Sequence, residues 1–128
     1  MSKDFISTHH ELLVYQVAIQ AAMRIFELTL FFPDTEQSLL TEQILKSSRS
    51  VCANLAEAWQ RRRYRGAFVA KLNEVEAEAA ETQTWVEIAQ LCCYLKPETG
   101  HDLQRQYSTI LAATARLIQN ADLWVISS

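Results

Sequence analysis

The chain has 128 residues, 49% of them hydrophobic and 21% charged, with a net charge of −3; this excludes a disordered chain and supports one hydrophobic core without disulfides or a structural metal. Only two Gly and two Pro occur, too few for the many turns of an all-β chain. A pI near 5.6 excludes a nucleic-acid binder that works by overall basicity and leaves only a local patch.

The first residues, Met1 to His10, carry no apolar signal core, and Arg24 and Glu27 break the most apolar stretch. No membrane span is expected, and a cytoplasmic location follows. Cys52, Cys92 and Cys93 make an odd count without framework spacing, which argues against a secreted disulfide scaffold. Helix-breaking punctuation falls at Phe32-Pro33-Asp34-Thr35, at Arg61 to Gly66, and at Lys96 to Gly100. The spacing predicts helices over about 9–31, 35–61, 66–95 and 99–125. Similar lengths and short joints predict an all-α fold, an antiparallel up-down four-helix bundle in a single domain over 1–128.

In the first segment, Leu12, Tyr15, Ile19, Ala22 and Phe26 mark one apolar row. Val14, Ala18, Ala21, Ile25, Leu28 and Phe32 mark a second. A helix on the surface of a monomer needs only one such stripe, so the extra row is expected to meet another subunit. The second segment is expected to open on Asp34 as N-cap, with Gln37 reaching back. Leu40, Ile44, Ser47, Val51, Leu55 and Ala58 form its core row, beside small residues that let a neighbouring helix come close.

The third segment repeats Phe68, Leu72, Val75, Ala79, Thr82, Val86, Ala89 and Cys93 in an unbroken four-three pattern, a seam suited to bundle packing. Glu74, Glu78 and Glu81 line a different face. The fourth segment is expected to open on a capping box at Thr99 to Asp102, with Leu103, Tyr107, Ile110, Thr114, Leu117, Ala121 and Trp124 as its seam.

The stretch Gln43-Ile-Leu-Lys-Ser-Ser-Arg-Ser-Val51-Cys-Ala-Asn54-Leu-Ala-Glu57-Ala-Trp59 resembles the signature of a bacterial family of four-helix-bundle proteins. These were first known as products of intervening sequences in 23S ribosomal RNA genes. The lead-in Phe32-Pro33-Asp34-Thr35-Glu36 and the downstream pairs Phe68/Leu72 and Glu81/Thr84 extend the resemblance over nearly the whole chain. Where the family has Gly after the Glu, this chain has Ala58, and Ala77-Glu78 replaces a common Gly-Ser pair. The resemblance implies a homopentamer. A related branch, the accessory variability determinant of diversity-generating retroelements, is similar to a barrel-shaped pentamer that binds nucleic acid and a reverse transcriptase. RNA or DNA and a reverse transcriptase are therefore the partners it implies, besides further copies of the chain.

Arg61, Arg62, Arg63 and Arg65 place four guanidinium groups within five residues, and Lys71 follows. They can grip phosphates, with Tyr64 or Trp59 stacking on a base. They can equally end a helix in solvent, opposing the negative end of its dipole and pairing with glutamates. A ring of copies would repeat the cluster around one rim and focus a positive field. Asn54 and Glu57 can bind a ligand, or form a buried structural link with Gln43 and Arg49; polar groups in a bundle core usually do the latter. His9-His10-Glu11 and Cys92-Cys93 are consecutive and so diverge around a helix, and no inward Glu-x-x-His pair exists for a di-iron site. Neither metal nor cofactor is expected, and the Cys are expected to be buried packing groups. No nucleophile elbow or glycine-rich phosphate loop is present, so catalysis is not expected. Trp59, Trp85 and Trp124 can be core or interface anchors, and Trp85 is expected at a helix–helix or subunit boundary.

Overall fold

The computed structural model describes residues 6–126; half of the stretch read as free of a signal core, residues 1–5, lies outside the described residues. A 3₁₀ turn at His9–Glu11 leads into α1, Leu13–Thr29. A second 3₁₀ turn at Asp34–Glu36 precedes α2, Leu40–Gln60. Then come α3, Arg65–Leu91, α4, Pro97–Gln119, and a last turn, α5, Ala121–Trp124. Each long helix packs on its neighbour in sequence, and α4 closes against α1. Short joints make consecutive helices antiparallel, so the molecule is an up-down four-helix bundle. Among the described residues no helix is long and apolar enough to cross a membrane.

The core follows the helical period. In α1 the buried row is Val14, Ala18, Ala21, Ile25 and Thr29. The other expected row divides: Leu12 is buried and Tyr15 and Ala22 pack partly against the core, while Ile19 and Phe26 lie on an exposed stripe with Met23 and Leu30. Ile19 is 38% exposed, Met23 53%, Phe26 37% and Leu30 67%. In α2 the expected row from Leu40 to Ala58 is buried throughout. The α3 seam from Phe68 to Ala89 is buried as its spacing predicts, and it faces α2 along the most extensive interface in the molecule. Ser47 and Thr82 meet across that interface, hydroxyl to hydroxyl at 2.8 Å, which satisfies two buried polar groups.

The helix ends depart from their expected signals. Asp34 does not cap α2. It starts the 3₁₀ turn, and the Glu36 carboxylate instead accepts a hydrogen bond from the Leu40 amide at 3.4 Å. Thr99 does not open α4, because Pro97 occupies the first turn, where its fixed φ and missing N–H suit a helix start. Gly100 is buried one turn in, and a Cβ there would collide with the side chain of Gln90 on α3. The seam of α3 stops one step short of Cys93. That residue is left-handed at φ 62°, and it closes the helix while the Tyr94 amide donates to the Ala89 carbonyl at 2.9 Å. Cys92 and Cys93 are therefore exposed, which corrects the expectation that they pack inside; only Cys52 does.

Candidate nucleic-acid interface

The arginine cluster forms the tight joint between α2 and α3, at the end of the bundle where α5 and the His9 turn also lie. The α2 helix closes with the Arg61 amide donating to the Ala58 carbonyl at 3.0 Å, and the joint closes with the Tyr64 amide donating to the Arg61 carbonyl at 3.1 Å. Arg61 to Arg63 therefore follow a helix C-terminus, where positive charge is favoured. Arg65 begins α3, where it is not, and Asp122 of α5 offsets it through an ion pair at 2.7 Å.

The other cations separate into two groups. The Arg62 guanidinium lies 3.4 Å from the centroid of the Trp59 ring, and its Nε–H donates to the Trp59 carbonyl at 2.9 Å. Burial there holds its pKa below the ordinary guanidinium value. Lys71 pairs with Glu57 at 2.8 Å and approaches Glu74 at 3.7 Å; the bond to Glu57 raises its pKa and lowers that of the carboxyl. Arg61 and Arg63 are exposed and form no ion pair among the described residues. Tyr64, between Arg63 and Arg65, is 71% exposed. Arg61, Arg63 and Tyr64 thus hold the unengaged chemistry of the cluster.

Trp59 cannot stack on a base. It is 4% exposed, covered by Arg62, and set edge-on to Trp124 at 6.0 Å. The amide of Ile126 donates to the Arg62 carbonyl at 2.9 Å, so the C-terminal turn fixes the joint. Trp85 and Trp124 are half-buried against the core, and the Trp85 Nε1 is buried without a hydrogen-bond partner.

The expected polar link of Gln43, Arg49, Asn54 and Glu57 is not formed. Gln43, Arg49 and Glu57 are exposed. Asn54 alone is buried, and its amide donates to the carbonyl and hydroxyl of Ser50, both at 2.9 Å, on its own helix. Arg49 lies 6.0 Å over the Phe26 ring instead. An intrahelical partner four residues back makes a partner on another helix unnecessary. A buried hydroxyl pair does bridge helices: Ser47 and Thr82 stand in the two core rows, and that placement was their signal in the sequence.

On α3, burial and the neighbouring Glu81 and Glu74 hold the Glu78 carboxyl above the usual carboxylate range, against the opposing pull of Lys46. Among the described residues no three His, Cys, Asp or Glu side chains converge in a way that could hold a metal ion.

Sequence reasoning set His9 and His10 aside, but the structure places them beside the arginine joint. Their rings lie 4.1 Å apart, and both meet Tyr15 edge-on, His9 at 4.8 Å and His10 at 5.5 Å. Burial, then His10, holds His9 below the ordinary imidazole pKa. Between this turn and the last turn of α2 lies a groove of about 370 Å³ lined by His9, Ala56, Glu57, Gln60 and Arg61.

A family model described as 23S rRNA-intervening sequence protein matches residues 10–116. That span includes the arginine joint and stops before α5. Among solved structures, the chain is similar to a crystal structure, at 1.70 Å resolution, of a protein of unknown function from the S23 ribosomal protein family of Bacteroides thetaiotaomicron. The two share 30% sequence identity and a TM-score of 0.76, over 84% of this chain and 96% of that one. No curated protein matches.

Proposed function

The chain belongs to the 23S rRNA-intervening sequence protein family, and from that premise we propose that it is a non-enzymatic scaffold that assembles with copies of itself, as a pentamer by family resemblance, and binds RNA or another nucleic acid through its arginine joint. The observation that carries the reading is the exposed trio of Arg61, Arg63 and Tyr64: two guanidinium groups without carboxylate partners among the described residues, beside an aromatic ring open to solvent. Guanidinium groups bind phosphate in a fixed fork, and an exposed ring offers a stacking surface to any base. The apolar stripe of Ile19, Met23, Phe26 and Leu30 supports assembly, since a helix that packs in a lone bundle needs no second stripe.

The test is filter binding of structured RNA across a salt series. Affinity should fall steeply with salt, and Arg61→Ala/Arg63→Ala should weaken binding and flatten the slope. Binding that is absent at low salt, or indifferent to this double substitution, would end the nucleic-acid reading. Light scattering showing a monomer at micromolar concentration would end the assembly reading.

A second reading, a protein-interaction adaptor without nucleic-acid contact, draws on the acidic face of Glu74, Glu78 and Glu81, where burial and then the neighbouring carboxylates hold Glu78 above its usual range. A basic partner such as a reverse transcriptase suits that face. Its mark is a pull-down that survives nuclease and is lost on charge reversal at these three glutamates.

A further inference from the structure

Arg61 and Arg63 account for phosphates only, and phosphate contacts carry no information about the bases. The groove beside them has the chemistry that they lack. Its lining surface is mostly apolar and shared among His9, Ala56, Glu57, Gln60 and Arg61. Its polar groups are the Glu57 carboxylate and Gln60 amide at the end of α2 and the Arg61 guanidinium at the start of the joint.

The wall opposite α2 is held in place. The Ser7 hydroxyl donates to the Glu11 carboxylate at 2.8 Å, and the Gln16 amide donates to the His10 carbonyl at 3.1 Å, which fixes the 3₁₀ turn that carries His9. Among the described residues the buried His9 Nδ1 has no hydrogen-bond partner. Burial, then His10, disfavours its charged form, so the ring offers an aromatic surface more than a charge. Glu57 does not repel an approaching strand as a bare carboxylate would, because Lys71 sits on it at 2.8 Å.

We propose that this groove seats one unpaired nucleobase of a bound single strand, with its flanking phosphates on Arg61 and Arg63. The base lies against His9 and Ala56, and the Gln60 amide, which offers both a donor and an acceptor, meets its hydrogen-bonding edge. A paired base cannot enter, since its edge is occupied and its faces are stacked; unpaired bases in loops and single strands turn out readily. The ligand is thus a single-stranded or looped segment rather than a duplex. This rests on the nucleic-acid reading above and adds the element that makes binding strand-selective.

The experiment measures the affinity of the full-length protein for a labelled single-stranded RNA, the DNA of the same sequence, and the corresponding duplex RNA. The proteins are wild type, Gln60→Ala, His9→Ala and Arg61→Ala/Arg63→Ala. Gln60 is exposed, so its variant tests the groove even where His9→Ala loosens the N-terminal turn; circular dichroism and a thermal melt report folding. Gln60→Ala and His9→Ala should weaken single-strand binding about tenfold, the scale of losing one stacked base, with the salt slope unchanged and duplex binding untouched. The double arginine variant should weaken all three ligands and flatten the slope. Equal losses on RNA and DNA support seating of the base, whereas a loss on RNA alone would assign the groove to ribose and overturn the proposal. If Gln60→Ala binds the single strand like wild type while the arginine variant fails, the groove is not a base site and the arginine reading stands. If the arginine variant also binds like wild type, both fall.

Discussion

Cys93 holds a backbone conformation that its side chain opposes. An L-residue in the left-handed region costs about 1–2 kcal/mol, and most helices that end this way use glycine. Here a cysteine takes the position at φ 62°, with its side chain in solvent, so packing does not offset the cost. Cys93→Gly should therefore stabilise the protein by about 1 kcal/mol, raising the thermal midpoint by roughly 3–5 °C. Cys93→Val should lower it, since a β-branched residue tolerates this region least. An unchanged midpoint in both variants would mean that the strain is relieved in another way. The same residue shows where periodicity misleads. The four-three pattern runs through Cys93 as smoothly as through Ala89, and only a glycine at that point would have announced the helix end. Asn54 misled differently: a buried amide implies a partner somewhere, but a pattern of core positions cannot distinguish Ser50 on the same helix from a residue on another.

The interiors of the helices were legible because their cause is local and repeated. The row in α2 from Leu40 to Ala58 and the seam in α3 from Phe68 to Ala89 are buried as their spacing requires, since a face that must leave water writes itself at every third or fourth position. Helix starts depend on single residues, and there rival signals compete. Pro97 at the first turn outranked Thr99, and the 3₁₀ turn at Asp34 delayed α2 to Leu40. The two legible rows also meet chemically. Thr82 donates to the Glu78 carbonyl or to Ser47, both at 2.8 Å, while Ser47 otherwise reaches only the Ile44 carbonyl, at 3.4 Å. Thr82→Val should cost about 1 kcal/mol, because it strands the Ser47 hydroxyl between two packed helices. Removing both hydroxyls with Ser47→Ala/Thr82→Val should cost less than the sum of the single substitutions. Denaturant melts of the four proteins in the cycle check this. Strict additivity would show that the two hydroxyls do not depend on each other for hydrogen bonding.

Charge sets the problem for the molecule as a whole. At −3 per chain, distance repels a polyanion, and attraction begins only where local cations outweigh the total. Two arginines without an ion pair among the described residues are a small anchor: with single strands they account for a salt slope of only about 1.4. Placing several joints on one rim multiplies the phosphates neutralised at once, and only negative charge beyond about 10 Å is largely screened at moderate salt. Binding strength should therefore depend on the proposed assembly, and the stripe on α1 is where that assembly can be tested without touching the arginines. Met23→Asp/Phe26→Asp places charge on exposed positions of that stripe and leaves the buried row from Val14 to Ile25 intact. The variant should remain helical and scatter light as a monomer. It should bind single-stranded RNA with a slope near the value for two phosphates, well below that of the wild type. Sedimentation and a salt titration on the same preparation decide it. A monomeric variant with wild-type affinity and slope would show that one joint suffices, and that the apolar stripe serves something other than gathering arginines.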